Sequence, residues 1–108
     1  EIGGLHARVI HTPGHTEDSI TLLAGGAVFT GDTLFVGECG RTDLPGSNPE
    51  EMYDSLFNKL MRLDDDLRVY PGHDYGPSPS STMGLEKRTN YTLKKRSMAE
   101  FVEFMKQP

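Results

Sequence analysis

The chain alternates loosely between apolar and polar positions from Leu5 to Ile10 and closes that run on Val9 and Ile10. This predicts a strand that stops at the turn His11-Thr12-Pro13-Gly14-His15-Thr16, where adjacent Pro and Gly interrupt regular structure. Ser19–Leu23 and Ala27–Thr30 are short β-prone runs separated by Ala24-Gly25-Gly26, the pattern of a hairpin, and Leu34–Val36 is expected to continue the sheet. From Gly37 to Ser47 no periodicity survives, so a loop is expected. Asn48-Pro49-Glu50-Glu51 then reads as a helix start, with Asn48 or Ser47 as cap, Pro in the first turn and carboxylates near the positive end of the helix dipole. Met52, Leu56, Leu60 and Leu63, with Phe57 beside them, supply an apolar stripe at helical spacing, and Asp64-Asp65-Asp66 ends it. Leu67–Tyr70 is a further strand, leaving through Pro71-Gly72-His73-Asp74-Tyr75-Gly76; Thr82–Asn90 holds a short helix. Ser97-Met98-Ala99-Glu100 is a capping box that opens a last helix packed through Phe101, Val102, Phe104 and Met105.

Strands, helix, strand, helix in 108 residues, with 35% hydrophobic residues and no repeat, make one small domain over 1–108. No run approaches the roughly 18 apolar residues of a membrane helix, and no basic-then-apolar leader pattern opens the chain, so a cytoplasmic protein is expected. A net charge of −5 argues against a nucleic-acid or anionic-membrane surface. Cys39 is the single cysteine, so no intrachain disulfide compensates for small size. The chain opens on Glu1 rather than Met and runs at once into an apolar segment, which suggests a cut start and a fragment.

Three polar residues stand where a short strand runs into a turn: His15, Asp32 in Thr30-Gly31-Asp32, and His73 in Pro71-Gly72-His73. Strand ends are where ligands from separate segments converge, and two imidazoles with a carboxylate suit zinc, iron or manganese. Any one of them alone reads as a turn cap or a surface residue; the three contexts together weaken that reading.

The segments His11-Thr-Pro-Gly-His15-Thr16, Phe29-Thr-Gly-Asp32-Thr33-Leu34-Phe35 and Tyr70-Pro-Gly-His73-Asp74 resemble motifs of the metallo-β-lactamase superfamily, in matching order and rough spacing. Within it the chain is similar to the branch of hydroxyacylglutathione hydrolases (glyoxalase II) and persulfide dioxygenases. The resemblance implies an α+β fold, the C-terminal half of an αββα sandwich, with one mostly antiparallel sheet and helices on one face. It implies His15 as a ligand of a first metal, Asp32 as the catalytic carboxylate bridging two metals, and His73 as a ligand of the second. His11 matches a non-ligand that holds the turn by hydrogen bonding, and Asp74 is a supporting neighbour of the ligands. The family's remaining ligands belong to an His-x-His-x-Asp-His motif that this chain lacks, which implies that the chain alone is inactive and completes its fold with an N-terminal half or another copy.

For the complete site the resemblance implies a zinc-dependent hydrolase, with a thioester of a small thiol such as glutathione as substrate. An iron(II)-dependent persulfide dioxygenase is the second expectation, and a non-catalytic half domain that binds a partner is the third. Cys39-Gly40-Arg41-Thr42-Asp43 is similar to persulfide dioxygenases, whereas Leu44-Pro45-Gly46-Ser47 and Ser81-Thr82-Met83-Gly84-Leu85-Glu86-Lys87-Arg88-Thr89-Asn90 resemble bacterial glyoxalase II-like hydrolases. Arg41, Cys39 and Tyr75 are the candidates to touch substrate. Arg41 suits a carboxylate through its planar fork, or else pairs with Asp43 to order the loop. A lone cysteine is more often a small buried hydrophobe than a contact, and that is the favoured reading of Cys39.

Overall fold

The computed structural model describes residues 7–43, 45–72 and 80–106. Strand β1 (Ala7–His11) pairs antiparallel with β2 (Ile20–Ala24), and β2 with β3 (Ala27–Gly31). The β2–β3 connection is two residues, Gly25 and Gly26, with φ of 57° and 76°. A tight hairpin that follows strand twist needs left-handed backbone at both central positions, which glycine adopts without a Cβ clash.

The chain then leaves the sheet. Among the described residues Leu34–Phe35 (β4) and Glu38–Cys39 (β5) pair only with each other in a separate two-stranded ladder. Two expectations are corrected here: Leu34–Val36 does not extend the main sheet, and the loop from Gly37 begins as a strand. Helix α1 (Pro49–Tyr53) follows, capped by Asn48, whose side chain accepts from Glu51 N–H. Its continuation is not regular α-helix as expected, but a wider π-helical stretch over Asp54–Lys59 and a 3-10 turn over Leu60–Arg62. The apolar residues account for this. A stripe repeating every fourth residue drifts about 40° per step round a helix of 3.6 residues per turn, and a wider turn reduces the drift. Met52, Leu56 and Leu60 are all 0% exposed.

Strand β6 (Arg68–Pro71) returns parallel to β3, and β7 (Ser81–Thr82), not foreseen in the sequence, pairs antiparallel with β6. The main sheet is therefore ordered β1-β2-β3-β6-β7, antiparallel except at the β3–β6 crossover. Helix α2 (Met83–Thr89) is capped by Thr82, a 3-10 turn follows at Tyr91–Leu93, and α3 (Met98–Met105) opens with the expected Ser97–Glu100 capping box. Val28 and Val69 on one face of the sheet join Leu34, Met52, Leu56, Leu60, Met83, Leu93 and Phe101 in the core. The architecture is a mixed α+β half sandwich. Among the described residues no helix is long and apolar enough to cross a membrane.

Candidate metal centre

Because β1 and β3 both run antiparallel to β2, and β6 runs parallel to β3, the C-terminal ends of β1, β3 and β6 lie at one end of the sheet. Those of β1 and β3 are each followed by a glycine-containing turn that carries a candidate ligand, and β6 leads into Gly72. The β3 end holds an irregularity at Thr30, between the Phe29–Tyr70 and Gly31–Pro71 pairs, where the strand turns away and Gly31 takes φ of 55°. Thr33 N–H closes that turn on the Thr30 carbonyl at 3.0 Å.

His15 and Asp32 come together there, with His15 Nε2 3.7 Å from Asp32 Oδ2 and side chains 21% and 36% exposed. The other ring nitrogen, Nδ1, lies 3.0 Å from the Arg41 carbonyl. A carbonyl only accepts, so Nδ1 donates a proton there and Nε2 is the ring nitrogen turned toward Asp32. Two donors that each sit about 2.0–2.2 Å from one ion are separated by no more than about 4 Å, so this pair fits a metal ion. Among the described residues no third His, Cys, Asp or Glu converges on them. His73, Asp74 and Tyr75 lie outside the described residues. Gly72, which precedes His73, does reach the site: its N–H donates to the Gly31 carbonyl at 2.8 Å, and a Cβ on it would stand 3.2 Å from Asp32 Oδ1.

The approach of the third segment is closer still. A Cβ on Gly40 would stand 1.8 Å from the Asp32 carbonyl oxygen and 3.2 Å from His15 Cβ, so only glycine lets residues 39–41 pass between the two. Arg41 lies beyond, donating Nε–H to Asp43 Oδ1 at 2.7 Å and Nη2–H to Asp43 Oδ2 at 3.0 Å. The pair raises the Arg41 pKa and lowers that of Asp43, chiefly through their hydrogen bond, and both side chains are 63% exposed. Between Arg41, Thr42, Tyr91 and Phe104 runs a groove of about 490 Å³. Cys39 is 6% exposed within the core, and burial, helped by Glu38, pushes its thiol up to about 12.

The turn that carries His15 is held by its own main chain. The His11 carbonyl accepts from Lys59 Nζ, Thr12 from Thr33 Oγ1, Pro13 from Ser55 Oγ, Gly14 from Asn48 N–H and His15 from Ser47 Oγ. The His11 ring donates Nε2–H to the Glu17 carbonyl at 2.8 Å and stands away from the pair. Behind the turn, buried Thr12 and Thr21 share a 3.0 Å hydroxyl contact, and Thr12 meets Thr33 at 3.2 Å. Sequence reasoning missed these threonines, because a hydroxyl that braces a turn has no local pattern to mark it.

The family model described as the metallo-beta-lactamase superfamily matches residues 1–73. The chain is 39% identical over 108 residues to the beta-lactamase hydrolase-like protein of Agrobacterium fabrum, covering 94% of this chain and 25% of that protein. It is 40% identical over 82 residues to the probable polyketide biosynthesis zinc-dependent hydrolase PksB of Bacillus subtilis, covering 76% and 36%. Among solved structures, ETHE1 from Myxococcus xanthus superposes with TM-score 0.92 at 44% identity, over 99% of this chain and 48% of that one. TTHA1623 in a di-iron-bound form gives TM-score 0.71 at 42% identity, over 79% and 41%. The chain thus spans a quarter to about half of the proteins it matches.

Proposed function

Because the chain belongs to the metallo-β-lactamase superfamily, we propose that it supplies one flank of a two-metal zinc centre in a cytoplasmic hydrolase acting on a thioester of a small thiol such as glutathione. The observation that carries this reading is the orientation of His15, whose Nδ1 is engaged by the Arg41 carbonyl while Nε2 stands 3.7 Å from the Asp32 carboxylate. Metal ions held there would supply Lewis acidity toward the thioester carbonyl and toward an attacking water. His15 and Asp32 supply donors from two turns, with His73 as the third and Asp74 as its support. The Arg41 guanidinium, held by an exposed carboxylate, can exchange Asp43 for a substrate carboxylate at little cost, since solvent screens exposed ion pairs and leaves them weak. Tyr75 and Cys39 complete the substrate side of the reading, Cys39 by packing under the loop rather than as a nucleophile. The test is hydrolysis of a glutathione thioester by the purified polypeptide that carries this chain, supplied in turn with zinc, manganese and iron. Activity should vanish with a chelator and fall about 10²-fold or more in Asp32→Ala. No hydrolysis with any of the metals would sink the proposal.

A second reading, an iron(II)-dependent persulfide dioxygenase, is favoured by the Cys39-Gly40-Arg41-Thr42-Asp43 string and by iron in the di-iron form of TTHA1623. Oxygen consumption with glutathione persulfide that depends on iron would select it.

A further inference from the structure

The loop that orients His15 starts from a hairpin of only two ladder pairs, Leu34–Cys39 and Phe35–Glu38. Isolated two-stranded ladders are marginal in water, so its position must come from elsewhere. The holding groups are two buried polar residues of the following segment. Glu86 on α2 is 1% exposed, and its Oε1 accepts from Gly37 N–H and from Asn90 Nδ2, each at 2.8 Å. Asn90, 3% exposed, also directs Nδ2 at the Phe35 and Glu38 carbonyls, 3.2 Å away. Its Oδ1 accepts from Thr92 N–H at 2.9 Å and from the Thr92 hydroxyl at 2.5 Å, which fixes the end of the amide that faces the hairpin.

The hairpin is thus gripped at residues 35, 37 and 38. Beyond the grip, Gly40 N–H donates to the Thr33 carbonyl at 3.0 Å, and the Arg41 carbonyl receives His15 Nδ1. We propose that Glu86 and Asn90 are positioning residues of the metal centre, acting through the β4–β5 hairpin to set where the Arg41 carbonyl stands and hence which nitrogen of His15 faces Asp32. The inference rests on the reading of His15 and Asp32 as ligands. Groups that orient a ligand in this way commonly change metal affinity about 10–100-fold.

The test uses the polypeptide that carries this chain, with Glu86→Met, Glu86→Gln and Thr92→Val. The readouts are the nitrogen-15 shifts of the His15 ring in the metal-free protein and zinc affinity by competition with a chromophoric chelator. In the parent the ring proton should sit on Nδ1. Glu86→Met should mix the two tautomers and weaken zinc binding about 10–100-fold, while Glu86→Gln, which keeps an oxygen for Gly37 and Asn90, should stay within about threefold of the parent. Thr92→Val removes a single hydroxyl from the clasp and should shift both readouts in the same direction by less, which keeps the test alive if Glu86→Met does not fold. A lowered melting temperature with parental tautomer and parental zinc affinity in Thr92→Val and in any folded Glu86→Met would overturn the proposal. If parental zinc binding is indifferent to His15→Ala, the ligand reading fails instead, and the metal-free tautomer decides the clasp by itself.

Discussion

On the helix side of the sheet Val28 and Val69 are 0% exposed, whereas their chain neighbours Phe29 and Tyr70, on the opposite side, are 42% and 39% exposed and stack at 5.5 Å. The registers Val9–Leu22, Leu22–Phe29 and Phe29–Tyr70 extend that outer pair into an apolar row across four strands, with Val9 61% exposed at its end. An antiparallel sheet with one wet face normally turns polar residues to water. Here the order is reversed in part, since the covered face takes Thr21, whose hydroxyl is satisfied by Thr12, and the open face takes the aromatics. Polarity does not separate the two faces; only coverage does, and the outer row has the composition of a face that receives a cover. The chain spans 48% of the ETHE1 structure it superposes on, which leaves more polypeptide in that protein than this chain accounts for.

The difference between the faces can be measured directly. Leu56→Ala, beneath the covered face, should cost about 2–5 kcal/mol of stability, read as a lower urea midpoint. Phe29→Ala on the open face should cost about 1 kcal/mol or less in the 108-residue chain, mainly the stacking on Tyr70. A larger loss there would mean that the outer row is already covered in the protein measured. The same row should make the chain associate or bind a hydrophobic dye, with Phe29→Ser/Tyr70→Ser removing both; sedimentation of the parent as a stable monomer that binds no dye would break the comparison.

The smallest effect belongs to a strap on the covered side. Lys87 donates to Asp65 at 2.7 Å and to the Leu63 carbonyl, which ties α2 to the end of the 3-10 turn at Leu60–Arg62. The Lys87 hydrogen bond, then its charge, lowers the Asp65 pKa from 3.8. A carboxylate with a depressed folded pKa stabilises above its unfolded value and loses that contribution as pH falls through the folded one. Asp65→Asn should therefore be slightly less stable than the parent at neutral pH, and the gap should close in acid below 3.8, as urea midpoints at the two pH values would reveal.

Much of this was legible in the sequence because it was local. The Gly25-Gly26 turn, the Asn48 cap and the Ser97–Glu100 box are each decided by residues within a few positions, and His15 and Asp32 were marked by the strand-to-turn contexts around them. What escaped depends on distant partners or on elements too short for a period. Strands β4, β5 and β7 have two residues each. Thr12 meets Thr33 across 21 positions, and Gly37 meets Glu86 across 49. Ser47 was read as an alternative cap, yet its hydroxyl serves the His15 carbonyl. The widened helix was hidden because every-fourth-residue spacing looks the same for an α-turn and a looser one.

The five carbonyls from His11 to His15 are each met by a donor from another segment of the chain. Anyone lifting this hexapeptide into a different scaffold would therefore transfer the imidazole and leave its aim behind. The portable unit is a sequence-discontinuous frame that includes Thr33, Ser47, Asn48, Ser55 and Lys59, and a transplant carrying only the recognisable letters would be a histidine on an ordinary loop.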